Sequence, residues 1–251
     1  IGGLTGGGER TQAAVEMYSG AYNQLNNNLV LGQANSDGTF TQHGGSVVIS
    51  NQIRINNAAN SAGLYVQNGG TATVFGVMDM GNNATAVRGE YRALGGMLDA
   101  MADVVVGNLG GTNTLVINGG TVRVGGTLTN AYAAGATGVV FLAGGSLDMT
   151  GGDVVFGAGK GEFRFTGGLL KDVGTFGGTL TQEGGALEIG ASPGIMTVSG
   201  DYSLESGAEL RLELDAQGTT AGTDYDLMNV VGNATDRKHT SELQSRQSIS
   251  Y

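Results

Sequence analysis

The sequence predicts an all-β fold, a parallel β-helix (solenoid) of about seven coils with an irregular C-terminal β capping segment. Three observations lead there. Gly-Gly pairs stand at Gly44-Gly45, Gly69-Gly70, Gly95-Gly96, Gly119-Gly120, Gly144-Gly145 and Gly167-Gly168, with steps of 25, 26, 24, 25 and 23 residues. Short segments of alternating apolar and polar residues fill each interval, the pattern of half-buried strands. The 251 residues include 48 Gly and 1 Pro, without the Gly at every third position that collagen requires. A repeat of this size cannot bury its apolar face until a neighbour stacks on it.

Residues 1–14 read as an irregular start, and 15–180 as the repeats. A first, less regular coil, VEMYSGAYNQLNNNLVLG, ends in Leu29, Val30, Leu31 and Gly32. From there each unit reads strand, glycine corner, strand, turn, strand. Four residues before the glycine pair stand Phe40, Tyr65, Tyr91, Leu115, Val140 and Phe163, expected to stack inside. After the corner come Val47, Ala72, Leu98, Val122, Leu147 and Leu170, then Ile49, Val74, Ala100, Val124 and Met149, both expected inward. The inward candidates of the third strand are Ile53 with Ile55, Met78 with Met80, Val104 with Val106, and Val154 with Phe156. The glycines have a mechanical reading, because a corner between strands favours the positive φ that Gly adopts without strain.

Between the two apolar columns of the second strand stand Asp99, Arg123, Asp148, Lys171 and Glu188, expected outward and alternating in sign. Stacked about 4.8 Å apart, they read as a structural charge ladder. Arg54 and Asp79 form a similar outward pair in the third strand.

From Thr181 the period shortens, and 181–235 reads as a closing β segment. Ser192-Pro193-Gly194 forms a turn before Met196, Val198, Tyr202, Leu204 and a strand from Leu210 to Leu214. Asp215, Asp224 and Asp226 read as a solvated acidic turn in preference to a calcium site, since their spacing lacks an EF-hand pattern. Residues 236–251 carry no glycine and no alternation. His239 to Ser245, HTSELQS, resembles a translated sequencing adapter, and Asp236-Arg237-Lys238 resembles the same adapter in another frame, so this stretch is expected to be a non-native or frayed tail.

A net charge of -10 argues against nucleic acid, which needs clustered Lys and Arg. Gly6 to Gly8 and Gly157-Ala158-Gly159 lack the helix and Lys-Ser/Thr of a phosphate loop. With no Cys and no ligand spacing, neither cofactor nor metal is expected. The abrupt start at Ile1 inside Gly-rich sequence reads as an internal fragment.

The units FTQHGGSVVIS, LYVQNGG, DVVVGN and TLVINGGTVRVGG resemble the extracellular repeats of bacterial autotransporter-associated β-strand proteins, which include exported proteins with a sorting anchor. The likeness spans roughly residues 15 to 190. The stretch ASPGIMTVSGDYSLESGAELRLELDAQGTTAGTDYDLMNV is similar to the closing segment of those passengers. The resemblance implies a right-handed helix, secretion, display at the bacterial cell surface and a membrane or envelope anchor outside this stretch.

The leading functional expectation is a noncatalytic extracellular or cell-surface passenger, a stalk or adhesin facing a host, matrix or polysaccharide surface. The alternative is a carbohydrate-active enzyme, a lyase or glycosidase, for which Asp99 and Asp148 are the weak catalytic pair, two coils apart with Arg123 between them. A third reading is glycan binding on Tyr65, Tyr91 or Phe141, although the first two are expected inside.

Overall fold

The computed structural model describes residues 11–190, 193–214 and 218–237. All regular structure among them is β-strand, stacked in parallel as a right-handed solenoid of about 8 turns. At about 4.8 Å per turn the stack is about 38 Å tall. Each coil supplies one strand to each of three faces. Ser36–Gln42, Ala62–Gln67 and Arg88–Ala93 lie on the first, Ser46–Ile49, Thr71–Val74 and Met97–Ala100 on the second, and Ile53–Ile55, Met78–Met80 and Val104–Val106 on the third. In two coils, Thr112–Val124 and Thr137–Asp148, one strand runs through the first corner unbroken.

The expected inward columns are in register. Phe40 pairs with Tyr65, Tyr65 with Tyr91, Tyr91 with Leu115, Leu115 with Val140 and Val140 with Phe163. Val47, Ala72, Leu98, Val122, Leu147 and Leu170 form the second continuous column, all fully buried. On the third face the stack includes a strand that alternation did not reveal, Leu128–Asn130. Asn130 hides it, because a buried polar residue stands where Val106 and Phe156 do, its Nδ2 donating to the Glu162 carbonyl at 2.8 Å.

Both ends differ from expectation. Thr11–Met17 pairs along its whole length with Ser36–Gln42, so residues 11–14 belong to the first coil. At the other end, Leu180–Gln182, Gly185–Glu188 and Ile195–Val198 make one further coil, and Tyr202–Leu204, Ala208–Arg211 and Leu227–Val230 another, all parallel. The segment expected to close the fold irregularly therefore continues it. Shorter turns change the period while Leu180, Leu187, Met196, Val198 and Tyr202 keep the inward alternation and remain buried. The irregularity is confined to the chain after Arg211. The strand expected over Leu210 to Leu214 is observed as Ala208–Arg211, and Leu214, 77% exposed, makes an antiparallel bridge to Tyr225. The tail boundary expected at residue 236 falls on a strand, since Ala234–Asp236 pairs with Tyr202–Leu204. Gly6 to Gly8, Ser192, Asp215 and the adapter-like residues from Lys238 onward lie outside the described residues.

The two glycines of a corner serve different needs. Gly45 has φ 75°, the left-handed conformation, and the second glycine repeats this at Gly70, Gly96, Gly145 and Gly168. A Cβ on Gly44 would stand 2.7 Å from the Tyr18 carbonyl oxygen of the coil below, so the first glycine is required by close approach. Gly119-Gly120 departs from the pattern, with the positive φ on Gly119. A second glycine column, Gly38, Gly63 and Gly89, stands inward where the third face turns into the first. A Cβ at Gly63 would meet the Asn56 amide nitrogen at 2.7 Å.

Buried glutamines tie the corners to the core. Gln42 Nε2 donates to the carbonyls of Gly45 (3.2 Å) and Thr71 (3.0 Å), and its Oε1 accepts from the Tyr65 hydroxyl of the next coil at 2.8 Å. Gln67 with Tyr91 and Gln182 with Tyr202 repeat the arrangement, at 2.8 and 2.7 Å. Where the glutamine position holds Ala93, Ile117 or Leu142, the next coil carries Leu115, Val140 or Phe163 in the tyrosine column, with no hydroxyl to satisfy. Donor and acceptor thus appear and disappear together, as burial of polar groups demands.

Tyr65→Phe is expected to cost about 1–3 kcal/mol in denaturant unfolding, because Gln42 Oε1 loses its donor. The Gln42→Leu/Tyr65→Phe pair, which imitates the Leu142–Phe163 coil, should cost less than the two single changes added together. Burial raises the pKa of Tyr65, Tyr91 and Tyr202 above the ordinary 10.0. Their contribution to stability is full below pH 10 and is lost as the pH rises further. Absorbance titration should therefore show these phenols releasing protons together with unfolding.

Candidate functional site

The charged positions of the second face form the site candidate. Backbone pairing sets Asp99 opposite Arg123, Arg123 opposite Asp148, Asp148 opposite Lys171 and Lys171 opposite Glu188, and adds Arg211 opposite Glu188 as a further rung. Shared register does not bring every pair into contact. Lys171 Nζ lies 3.0 Å from Asp148 Oδ2 and 3.1 Å from Asp172 Oδ2, and Arg211 contacts Glu188 at 2.6 Å and Glu209 at 3.1 Å. Asp99 and Arg123 make no ion pair within 4.0 Å among the described residues.

Asp172 was missed by reading alternate positions, since it follows Lys171 directly. The chain leaves the strand there with φ 55°, which turns the carboxylate back onto the ammonium. Burial raises the Asp172 pKa, against the lowering effect of Lys171. The hydrogen bond to Asp148 raises that of Lys171, so its ammonium stays charged and is unsuited to act as a base.

Asp99 and Asp148 are two register steps apart, about 10 Å, with Arg123 in the row between. Both oxygens of Asp148 are occupied, Oδ2 by Lys171 and Oδ1 by the Thr150 amide at 3.0 Å. No free carboxyl of Asp148 faces outward as an acid or nucleophile. The pair has the separation of two glycosidase carboxylates but not their availability.

Beside the ladder lies a cavity of about 350 Å³ whose charged lining is Lys171, Asp172, Glu188, Arg211, Glu213 and Asp226. Its two cations are each held between two carboxylates. Asp226 is buried, its Oδ1 accepting from the Gly194 amide and its Oδ2 from the Glu213 amide, both at 2.7 Å. Asp224 Oδ2 likewise accepts from the amides of Thr219 and Thr220. These carboxylates fold the loop after Arg211, and no cluster of three metal-ligating side chains exists among the described residues.

Asp79, expected outward opposite Arg54, is in register with it but buried. Asn108 Nδ2 donates to its Oδ2 at 3.0 Å as part of an amide ladder, Gln33, Asn57, Asn82 and Asn108, that covers this corner. Burial raises the Asp79 pKa, and Arg54 Nε donates instead to Gln52 at 2.9 Å. Of the aromatic candidates, Tyr65 and Tyr91 are fully buried, and Phe141 lies beneath the Arg164 guanidinium at 5.0 Å. None offers an open ring face.

No protein-family model, no curated protein and no solved structure matches the chain.

Lys171→Met strands two largely buried carboxylates and is expected to lower stability by about 1–3 kcal/mol at neutral pH. Asp172→Asn keeps the Lys171–Asp148 pair and suits the left-handed backbone, so its unfolding midpoint should stay at or above that of the unchanged chain. The raised Asp172 pKa makes its contribution full below the ordinary 3.8 and lost as the pH rises. The Asn variant should therefore gain most at neutral pH and nothing at pH 3.

Proposed function

We propose that the chain is a noncatalytic passenger module of an extracellular or cell-surface protein, a stalk or adhesin segment whose task is to hold a stiff surface at a distance. The observation that carries this reading is the parallel pairing of successive coils on each face, from Thr11–Met17 to Ala234–Asp236 on the first, Ala21–Gln24 to Ala208–Arg211 on the second and Leu29–Leu31 to Leu227–Val230 on the third. In a solenoid of this kind each coil contacts only its neighbours, so it extends by repetition. The charges of the second face support the same reading, since Lys171 and Arg211 are spent on carboxylates of adjacent strands. A lyase needs a cation free to meet the substrate acid and a base to take its proton, and a glycosidase needs two available carboxyl groups. Asp148 is held by Lys171 and the Thr150 amide and Glu188 by Arg211, so the ladder leaves Asp99 without a second available carboxyl group. Location at a bacterial surface is favoured by the likeness of its repeats to those of exported passengers.

Incubation of the purified chain with a panel of neutral and acidic polysaccharides is expected to release neither reducing ends nor unsaturated products. Turnover that disappears in Asp99→Asn/Asp148→Asn would replace this reading with an enzyme. Antibody labelling of intact source cells should detect the chain, and labelling that appears only after lysis would remove the surface assignment.

A further inference from the structure

The first face carries outward charges that neither the core nor the charge ladder uses. Arg88-Gly89-Glu90-Tyr91-Arg92 and Lys160-Gly161-Glu162-Phe163-Arg164 share one pattern, basic-Gly-Glu-aromatic-Arg. In both, strand alternation sets the glycine and aromatic on the inward side and the three charged residues on the outward side, where Glu90 is buried between its arginines. The two strands are joined by an unbroken register through Thr112–Val124 and Thr137–Asp148, three steps or about 14 Å. Between the charged bars lies an uncharged floor, Thr112, Thr114 and Val116 on one strand and Thr137, Val139 and Phe141 on the next.

Each bar has two cations and one carboxylate. Glu90, with a side chain 10% exposed, lies between Arg92 at 2.6 Å and Arg88 at 3.9 Å, whose side chains are 42% and 57% exposed. Arg164 contacts Glu162 at 3.4 Å and is held over Phe141, while Lys160 is exposed and has no ion pair among the described residues. Each bar thus presents net positive charge on a chain whose formal charge is -10.

We propose that this face binds an acidic polysaccharide, laid across the two cationic bars with its sugar hydroxyls over the threonine floor. The assignment rests on the passenger reading and gives it a partner. Charge complementarity selects the occupant. Duplex DNA carries one charge per about 1.7 Å, which would set roughly eight phosphates over the neutral strip between the bars. A uronic acid polymer, with at most one carboxylate per sugar, matches sparse cations, and its hydroxyls match the Thr112, Thr114 and Thr137 side chains. The site does no chemistry. It adds affinity through many such contacts along a long polymer.

The test is binding of the purified chain to immobilised polygalacturonate at low ionic strength, with neutral dextran and duplex DNA as comparison surfaces. Polygalacturonate is expected to retain the chain, more weakly as salt is raised. Arg88→Gln/Lys160→Gln should weaken binding by roughly tenfold, whereas Arg54→Gln on the third face should leave it unchanged. Both altered side chains are exposed, and a thermal melt verifies that the variant is folded. Absence of retention, equal retention on dextran, equal loss in Arg54→Gln, or tighter binding to duplex DNA would each overturn the proposal. Product release from polygalacturonate by a bound chain would instead overturn the noncatalytic reading and leave the binding face standing.

Discussion

The parallel backbone ladder governs the rest of this molecule. Strands held about 4.8 Å apart in one register place every side chain directly above its equivalent in the coil below. What one coil puts inside, the next must match. The consequence is a core of columns, with Tyr22, Phe40, Tyr65 and Tyr91 following one another at ring-centre distances of 5.9, 5.0 and 4.7 Å. The same constraint makes the corner glycines necessary. A side chain at Gly44 or Gly69 would strike a carbonyl of the coil beneath, whatever the turn conformation.

Register also explains how polar groups survive inside so narrow a core. Gln42, Gln67 and Gln182 are fully buried, and each reaches the second corner glycine of its own coil and the tyrosine of the next. The coupling links local turn geometry to coil order, because a glutamine placed in the wrong coil would face a Leu or Val and be left without a donor. Asn113 solves a related problem differently. It stands in the inward glycine column between Gly89 and Gly138 and folds its amide onto the Gly110 carbonyl at 2.9 Å.

On the outside, equal spacing does not produce equal chemistry. Along the second face, cations and carboxylates alternate closely enough for Lys171 and Arg211 to be neutralised by neighbours. On the first face, Arg88–Ala93 and Lys160–Phe165 each carry two cations and one carboxylate and are separated by an uncharged pair of strands, so net positive charge persists at each bar. One scaffold thereby carries a face on which Lys171 and Arg211 are neutralised and a face on which two strands keep an excess of cations. The net-positive face, with its Thr and Val floor, is the one proposed to meet a partner's negative charge.

The sequence by itself determined the fold class, the corners and the inward columns, because a strand's period of two and a coil's near-constant length translate directly into positions. Phe40, Val47 and Ile53 are legible in this way, as is the rung order from Asp99 to Glu188. Tertiary structure alone decided which rungs touch. Lys171 turns to Asp172 as well as Asp148, leaving Glu188 to Arg211, because side-chain reach and the left-handed turn at Asp172 are not properties of spacing. It also decided that Asp79 is covered by the Asn108 amide and that residues 181–235 continue the stack. Their period shortens in the turns, which carry no alternation to read, while inward burial at Leu187, Met196 and Tyr202 persists. Period fixes which column a residue occupies, whereas contact depends on the loops that neighbouring coils fold over it.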